Sequence, residues 1–458
     1  MAVGQEVLSD FINEACAPLD QSHSSGTLEH ANNLLASHPE IATASIYTAA
    51  IVGDDSVVRK FIDEDSGNAT AKGGPRNWDP LTYLCFSRYL RLDRWRTNGF
   101  LRAATALLDA GANPNTGWFE NDHQPTPEWE SALYGAAGVA HNADLTRLLI
   151  ERGADPNDGE VPYHTPESYD NDALAVLVES GKLSDDSLAT MLLRKADWHD
   201  YEGIKFLLAK GADPNRHTHW GNTPLQHAVQ RDNSLEIVTA MLDHGGDPLR
   251  ASDTPGHSRD LSGIHSAAEI AAYRGRRDLL DLFEQRGFSI KLSAAAALVA
   301  ACARDDAKQI SAIVEQEPQI VRDVLQHGGR ILSLFSANGN VEGIELLLDL
   351  GVQVDAKFQE GNGYFAIAPN STALHVASWR AQHSAVKLLI DRGANVNARD
   401  GRGQTPLALA VKACVDSYWT GRRTPDSVKS LLDAGASTHG IASPSGYKEV
   451  DDLIASHH

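Results

Sequence analysis

The chain has 458 residues, of which 42% are hydrophobic, 22% charged and 7% aromatic; this excludes disorder as the main state and suits two or three globular domains or one long repeat array. Its 61 acidic against 40 basic side chains give a formal charge of -21, which opposes sequence-independent affinity for phosphates or anionic lipid, so neither nucleic acid nor membrane is an expected partner. Four cysteines, Cys16, Cys85, Cys302 and Cys414, are widely spaced without a CxxC pair, so they read as buried small hydrophobes and not as disulfides or thiolate metal ligands.

No basic segment precedes an apolar run at the N-terminus, and nowhere do about 18 apolar residues follow one another, so a cytoplasmic protein is expected. Residues 1–26, with the apolar pattern Val7, Leu8, Phe11 and Ile12, are expected to hold a capping helix. From about residue 27 onward two phrases recur. The first is Gly111-Ala112-Asn113-Pro114-Asn115, repeated as Gly153-Ala154-Asp155-Pro156-Asn157, Gly211-Ala212-Asp213-Pro214-Asn215 and Gly393-Ala394-Asn395-Val396-Asn397. Each copy follows an amphipathic run such as Leu145-Thr146-Arg147-Leu148-Leu149-Ile150, so the glycine predicts a left-handed helix C-cap followed by a turn. The second phrase, Thr223-Pro224-Leu225-Gln226-His227-Ala228, Thr372-Ala373-Leu374-His375-Val376-Ala377 and Thr405-Pro406-Leu407-Ala408-Leu409-Ala410, predicts helix starts capped by threonine.

Together the two phrases resemble the ankyrin repeat, whose signature is Thr-Pro-Leu-His-x-Ala at a period of about 33 residues. The resemblance implies an all-α solenoid of about eleven helix-turn-helix repeats with hairpin or finger loops, which binds a protein segment or a medium-sized ligand in a concave groove. A monomer is expected, and the stretch 413–434 is similar to a segment of bacterial ankyrin-repeat proteins. Phrase glycines lie 42 residues apart from Gly111 to Gly153, 58 from there to Gly211 and 34 from there to Gly245. The 58 divides best at Gly181 into two short repeats, and the gap from Gly287 to Gly351 must hold two more. A seam near 287–293 separates an expected first segment, 27–290, from a second, 291–440, with 441–458 as a C-terminal cap or tail.

Insertions in a solenoid map to loops on one face, often the binding face. The fingers hold Arg76 and Trp78; Trp118, Glu120, Asp122, His123 and Trp129; and His217, His219 and Trp220. Four of the eight tryptophans, 78, 118, 129 and 220, should therefore project from one side as interface anchors. A tryptophan in a long finger can equally pack on its neighbour and give the loop a small core. Two insertions interrupt repeats between their helices and place arginines beside an aromatic: Arg94-Trp95-Arg96, and Tyr418, Trp419 and Arg422. Cation–π packing against the solenoid is favoured there over carboxylate recognition.

The densest titratable cluster is Asp158, Glu160, Tyr163 and His164, which could supply acid and base groups for a hydrolase, lyase or isomerase. No nucleophile elbow, phosphate loop or HExxH accompanies it, so a non-enzymatic binding module is the leading expectation and the enzyme the alternative. His217 and His219 with His257 or His265 could be imagined around zinc, but no cysteine lies near, so neither metal nor cofactor is expected. His375 occupies the signature histidine position and is expected to tie one repeat to the next.

Overall fold

A helix–turn–helix alternation runs through the computed structural model of the chain, which describes residues 4–121, 127–251, 266–292, 294–417 and 419–457. Among these, eleven helix pairs succeed one another, from Ile46–Val52 with Asp55–Glu64 to Pro406–Asp416 with Asp426–Asp433. The helices Gln5–Ala15 and Glu29–Ser37 precede them and Lys448–Ser456 follows. Gly181 does divide two short pairs, and the Gly287–Gly351 gap holds Ala294–Arg304 with Ala307–Gln316 and Gly328–Asn338 with Val341–Asp349, plus an extra helix Gln319–Gln326. The chain forms two compact units, Met1–Ala228 with Ala240–Gly246, and Val229–Thr239 with Asp247–His458.

The two helices of a pair differ because their sequences do. Many first helices are largely buried: every residue of Ala373–Trp379 is buried, as expected of a helix with no solvent face. Serine, threonine or aspartate starts most of them, and the side chains of Ser45, Asp79, Ser131, Ser184, Ser266 and Thr405 each accept a backbone N–H of the first turn. Such a cap contributes about 1 kcal/mol. Second helices are amphipathic, like Ala143–Glu151, which buries Leu145, Thr146, Leu149 and Ile150 and exposes the rest wholly or in part.

Most repeats turn twice through left-handed backbone. After the second helix the position is glycine, as at Gly111, Gly153, Gly211, Gly351, Gly393 and Gly435. Between the two helices it is Gly53, His141, His199, Asp232, Gly275, Asp305, Gly339 or Ala381, so no single residue type marks it. The phrase's last asparagine then joins neighbouring repeats. Asn115 donates to the Gly153 carbonyl (3.0 Å) and accepts from the Asp155 N–H (2.7 Å). Asn157 does the same with Lys182 and Ser184 (3.0 and 2.8 Å), and Asn397 with Gly435 and Ser437 (3.2 and 2.8 Å). Four backbone groups that would otherwise face water unpaired at helix ends are thus satisfied by each adjacent pair of side chains. His375 acts in parallel: Nδ1 lies 2.8 Å from Thr372 Oγ1, and Nε2 is 3.1 Å from the carbonyls of both Ala398 and Gln404 in the next turn.

In the second unit the finger Lys357–Phe358 with Ser371–Thr372 folds its tip inward. Tyr364 is 38% exposed, whereas Phe365 is 5% exposed and packs with Phe358, Ile367 and Trp379, against which Trp419 also lies. Arg380 sits over the Phe365 and Trp419 rings at 4.4 and 4.2 Å. Arg422 lies 6.0 Å from the Trp419 centroid, the cation–π packing expected of that insertion, whereas in the other Arg96 lies 4.9 Å from the centroid of Tyr89 and not over the neighbouring tryptophan. Trp95 beside Arg96 takes no part and is 97% exposed. Asp232, buried between the helices of its pair, lies 2.5 Å from Arg274 and 3.1 Å from Arg380.

Candidate binding cavity

Within the first unit, the finger formed by Gly117–Glu120 and Glu128–Ser131 is an antiparallel hairpin in which Trp118 faces Glu130 and Glu120 faces Glu128. Residues two apart on a strand share a side, so Glu128 and Glu130 point together. The next finger is a single helical turn, Glu160–His164, whose start is held by Asp158 Oδ1 accepting the Val161 N–H at 2.9 Å. Between these fingers, the loop carrying His23 and the loop carrying His219 and Trp220 lies a cavity of about 930 Å³.

Carboxylates and rings share the lining. Glu120, Glu128, Glu130, Asp158, Glu160 and Glu167 contribute the acids, and Trp129, Tyr134, Tyr163 and Trp220 the aromatic faces. Glu130 is 1% exposed, and its Oε2 has no hydrogen-bond partner. Burial, reinforced by the charges of Glu160 and Glu120, pushes its carboxyl up to about 9. Asp158 is raised by burial to about 6, against the hydrogen bonds of Ser131 and the Val161 N–H. Burial alone would lower His164, but hydrogen bonds to Glu160 and Glu167 outweigh it and raise the imidazole to about 9.

His164 belongs to a chain of contacts that fixes the cavity wall. Its Nε2 is 3.1 Å from Glu160 Oε2 and its Nδ1 2.9 Å from Glu167 Oε2. Glu167 also pairs with Arg194, which pairs with Asp197, whose other oxygen lies 2.8 Å from His227 Nε2. Arg194 in turn covers the Tyr163 ring at 4.0 Å. His227, left without a role by the sequence, therefore anchors the far end of this chain. His23 completes the opposite wall, with Nδ1 2.8 Å from the Tyr134 hydroxyl; burial lowers its pKa against the pull of Glu120.

The expected site residues are thus divided. Asp158, Glu160, Tyr163, His164, Glu120, Trp129, His219 and Trp220 all line the cavity. Trp78 and Trp118 do not project as anchors into it. They stack on each other at 5.1 Å, Trp78 being 5% exposed, because a loop this long gains a small core of its own from Phe86 and Tyr83. Arg76 lies 4.8 Å over Trp78 and donates to the Ala17 carbonyl (2.7 Å), fastening the N-terminal helix to the finger. With Trp129 these residues border a second space of about 770 Å³. His217 is half-buried and outside the lining of the larger cavity, and Trp419 and Arg422 belong to the second unit. Tyr418, Asp122, His123, His257 and His265 lie outside the described residues.

His23, Glu128, Glu130, Tyr134 and Glu167 were not foreseen. The Glu128-Trp129-Glu130 alternation in a finger was the available signal for two of them, since it puts two carboxylates on one side of a strand.

The alternation of buried and amphipathic helices joined by left-handed turns defines a helical repeat protein. Family models described as ankyrin repeats (many copies) match residues 192–242 and 347–410, so the chain carries ankyrin repeats. Ankyrin repeats generally serve as protein-interaction modules, which supports a binding role. No curated protein sequence matches the chain. Among the described residues, no helix is long and apolar enough to cross a membrane.

Proposed function

We propose that the protein is a binding module that grips a segment of a partner protein in the cavity between its first-unit fingers. One observation carries this: Trp129, Tyr163 and Trp220 meet six carboxylates around one cavity of about 930 Å³, in a protein of formal charge -21. Aromatic faces supply area at low entropic cost, and the acid surplus selects a segment bearing lysine or arginine. Trp220, half-buried, with its ring 5.4 Å from Tyr163, is the anchor best placed for contact.

Panning a random peptide-display library against the full chain and against a Trp129→Ala/Trp220→Ala variant tests the proposal. The wild type should enrich basic peptides that bind the double variant at least about tenfold more weakly, the loss of about 1.4 kcal/mol expected of an anchor. Equal enrichment by both proteins, or none by either, overturns it.

The alternative is an enzyme, and one specific observation favours it: Glu130, raised to about 9, holds its proton at neutral pH beside Glu160 and His164. In that case Glu130 is the acid, and Asp158, spent on starting a helix, is not. Turnover of an ester, glycoside or lactone panel that Glu130→Gln abolishes would support it; no turnover removes it.

A further inference from the structure

We propose that Glu128, Glu130 and Glu160 form a binding site for one hard divalent cation of calcium's size. One carboxylate oxygen from each of the three lies within 4.8 Å of the others. That is the span across an ion with metal–oxygen bonds of about 2.4 Å, so the three can reach one calcium ion with little rearrangement. The donors are all carboxylate oxygens with no sulfur or nitrogen among them, the set that suits calcium, manganese or magnesium over zinc or copper.

Separately from the clustering, Glu130 Oε2 is a buried acceptor with nothing to accept, in a residue 1% exposed. Buried carboxylate oxygens are almost always partnered, and one left bare beside two further carboxylates is what a bound cation would satisfy. The site is also built in advance. Strand alternation aims Glu128 and Glu130 together, and Glu160 is held from behind by His164, itself held by Glu167, as outer partners hold ligating carboxylates in metal sites. The cavity leaves room for the waters that complete a calcium shell.

This inference does not depend on the partner segment, because the ion is measured alone. The full chain, stripped with chelator and desalted, is titrated calorimetrically with calcium chloride and, in parallel, with manganese(II) followed by its electron-spin signal. One equivalent should bind, and the unfolding midpoint should rise with free calcium. Glu130→Gln should weaken binding at least tenfold, whereas Glu120→Gln, which alters the same cavity outside the trio, should bind like the wild type. Should Glu130→Gln fail to fold, Glu128→Gln, at a more exposed ligand, gives the same comparison. The proposal is overturned if the wild type takes up no stoichiometric ion at millimolar calcium or manganese. It is equally overturned if the trio variants bind as it does, since the ion then sits elsewhere on an acidic surface.

Discussion

In the second unit one buried carboxylate, Asp232, is closed in by Arg274 and Arg380, while in the first six carboxylates surround a cavity and two of them, Glu130 and Asp158, each have a bare oxygen. Asp232 and both arginines have side chains at most 5% exposed. Burial would raise Asp232, but Arg274 and Arg380 hold it well below the usual carboxylate range. Burial lowers Arg380 to about 10 against the pull of Asp232, and the faces of Phe365 and Trp419 cover it. The carboxylate charge there is answered within the protein, by two guanidinium groups, as in a structural fastening. Around Glu130 it is not, and the excess is turned towards a space that a ligand can enter. The same fold therefore buries ionisable groups for two purposes, and the sign balance tells them apart.

The sharpest way to break this contrast is Asp232→Asn. Asparagine tolerates the residue's φ of 55°, so the change removes charge without straining the turn. It leaves two buried guanidinium groups facing each other and should cost about 3–5 kcal/mol in urea unfolding. A loss under about 1 kcal/mol would show that the cluster is not a fastening. Trp78→Ala should cost a similar or slightly smaller amount, about 3–4 kcal/mol, because it empties the finger core beneath Trp118. Trp220→Ala, at the cavity rim, should move stability by less than about 1 kcal/mol. If the two tryptophan variants melt alike, rim and core are not distinct.

Acid should separate the units by a smaller margin. Burial lowers His141, in the first unit, to about 4 from an unfolded value of 6.5, against the attraction of Asp170. The unfolded chain therefore binds the extra proton first, and stability falls as pH drops from 6.5 to 4. Asp232 behaves oppositely. Its pKa is depressed, so its contribution persists down to the unfolded value of about 3.9 and is lost only below it. Amide protection factors, corrected for the intrinsic exchange rate at each pH, should thus fall between pH 6.5 and 4 around the Ala143–Glu151 helix before they do around Ala267–Tyr273. His141→Asn, which keeps a residue suited to φ 48°, should flatten the first response. An unchanged slope in that variant would place the acid sensitivity elsewhere.

Much of this architecture was legible because glycine carries the left-handed turn after each second helix, and glycine spacing gave the repeats. The turn between the helices escaped notice, since histidine, aspartate and alanine occupy it at five positions. The finger residues were legible as a set but not as an arrangement. Sequence could not say that Trp78 and Trp118 would find each other, because side chains 40 residues apart meet only through stacking. Nor could it bring His23 to Tyr134 across several repeats, or Glu130 to Glu160 across the step from one repeat to the next. What distinguishes a lining acid from a surface acid is burial, and burial is a property of the assembled stack.

The asparagine bridges from Asn115, Asn157 and Asn397 have one more consequence. They run from backbone to backbone beneath the fingers and use no finger atom between 117 and 131, or 160 and 164. Spacing between repeats is therefore set by a rail that does not register how long each loop is. Lineages, or protein engineers, are free to lengthen, shorten or exchange a loop without retuning its neighbours, and novelty in ligand choice can accumulate one finger at a time on an unchanged chassis.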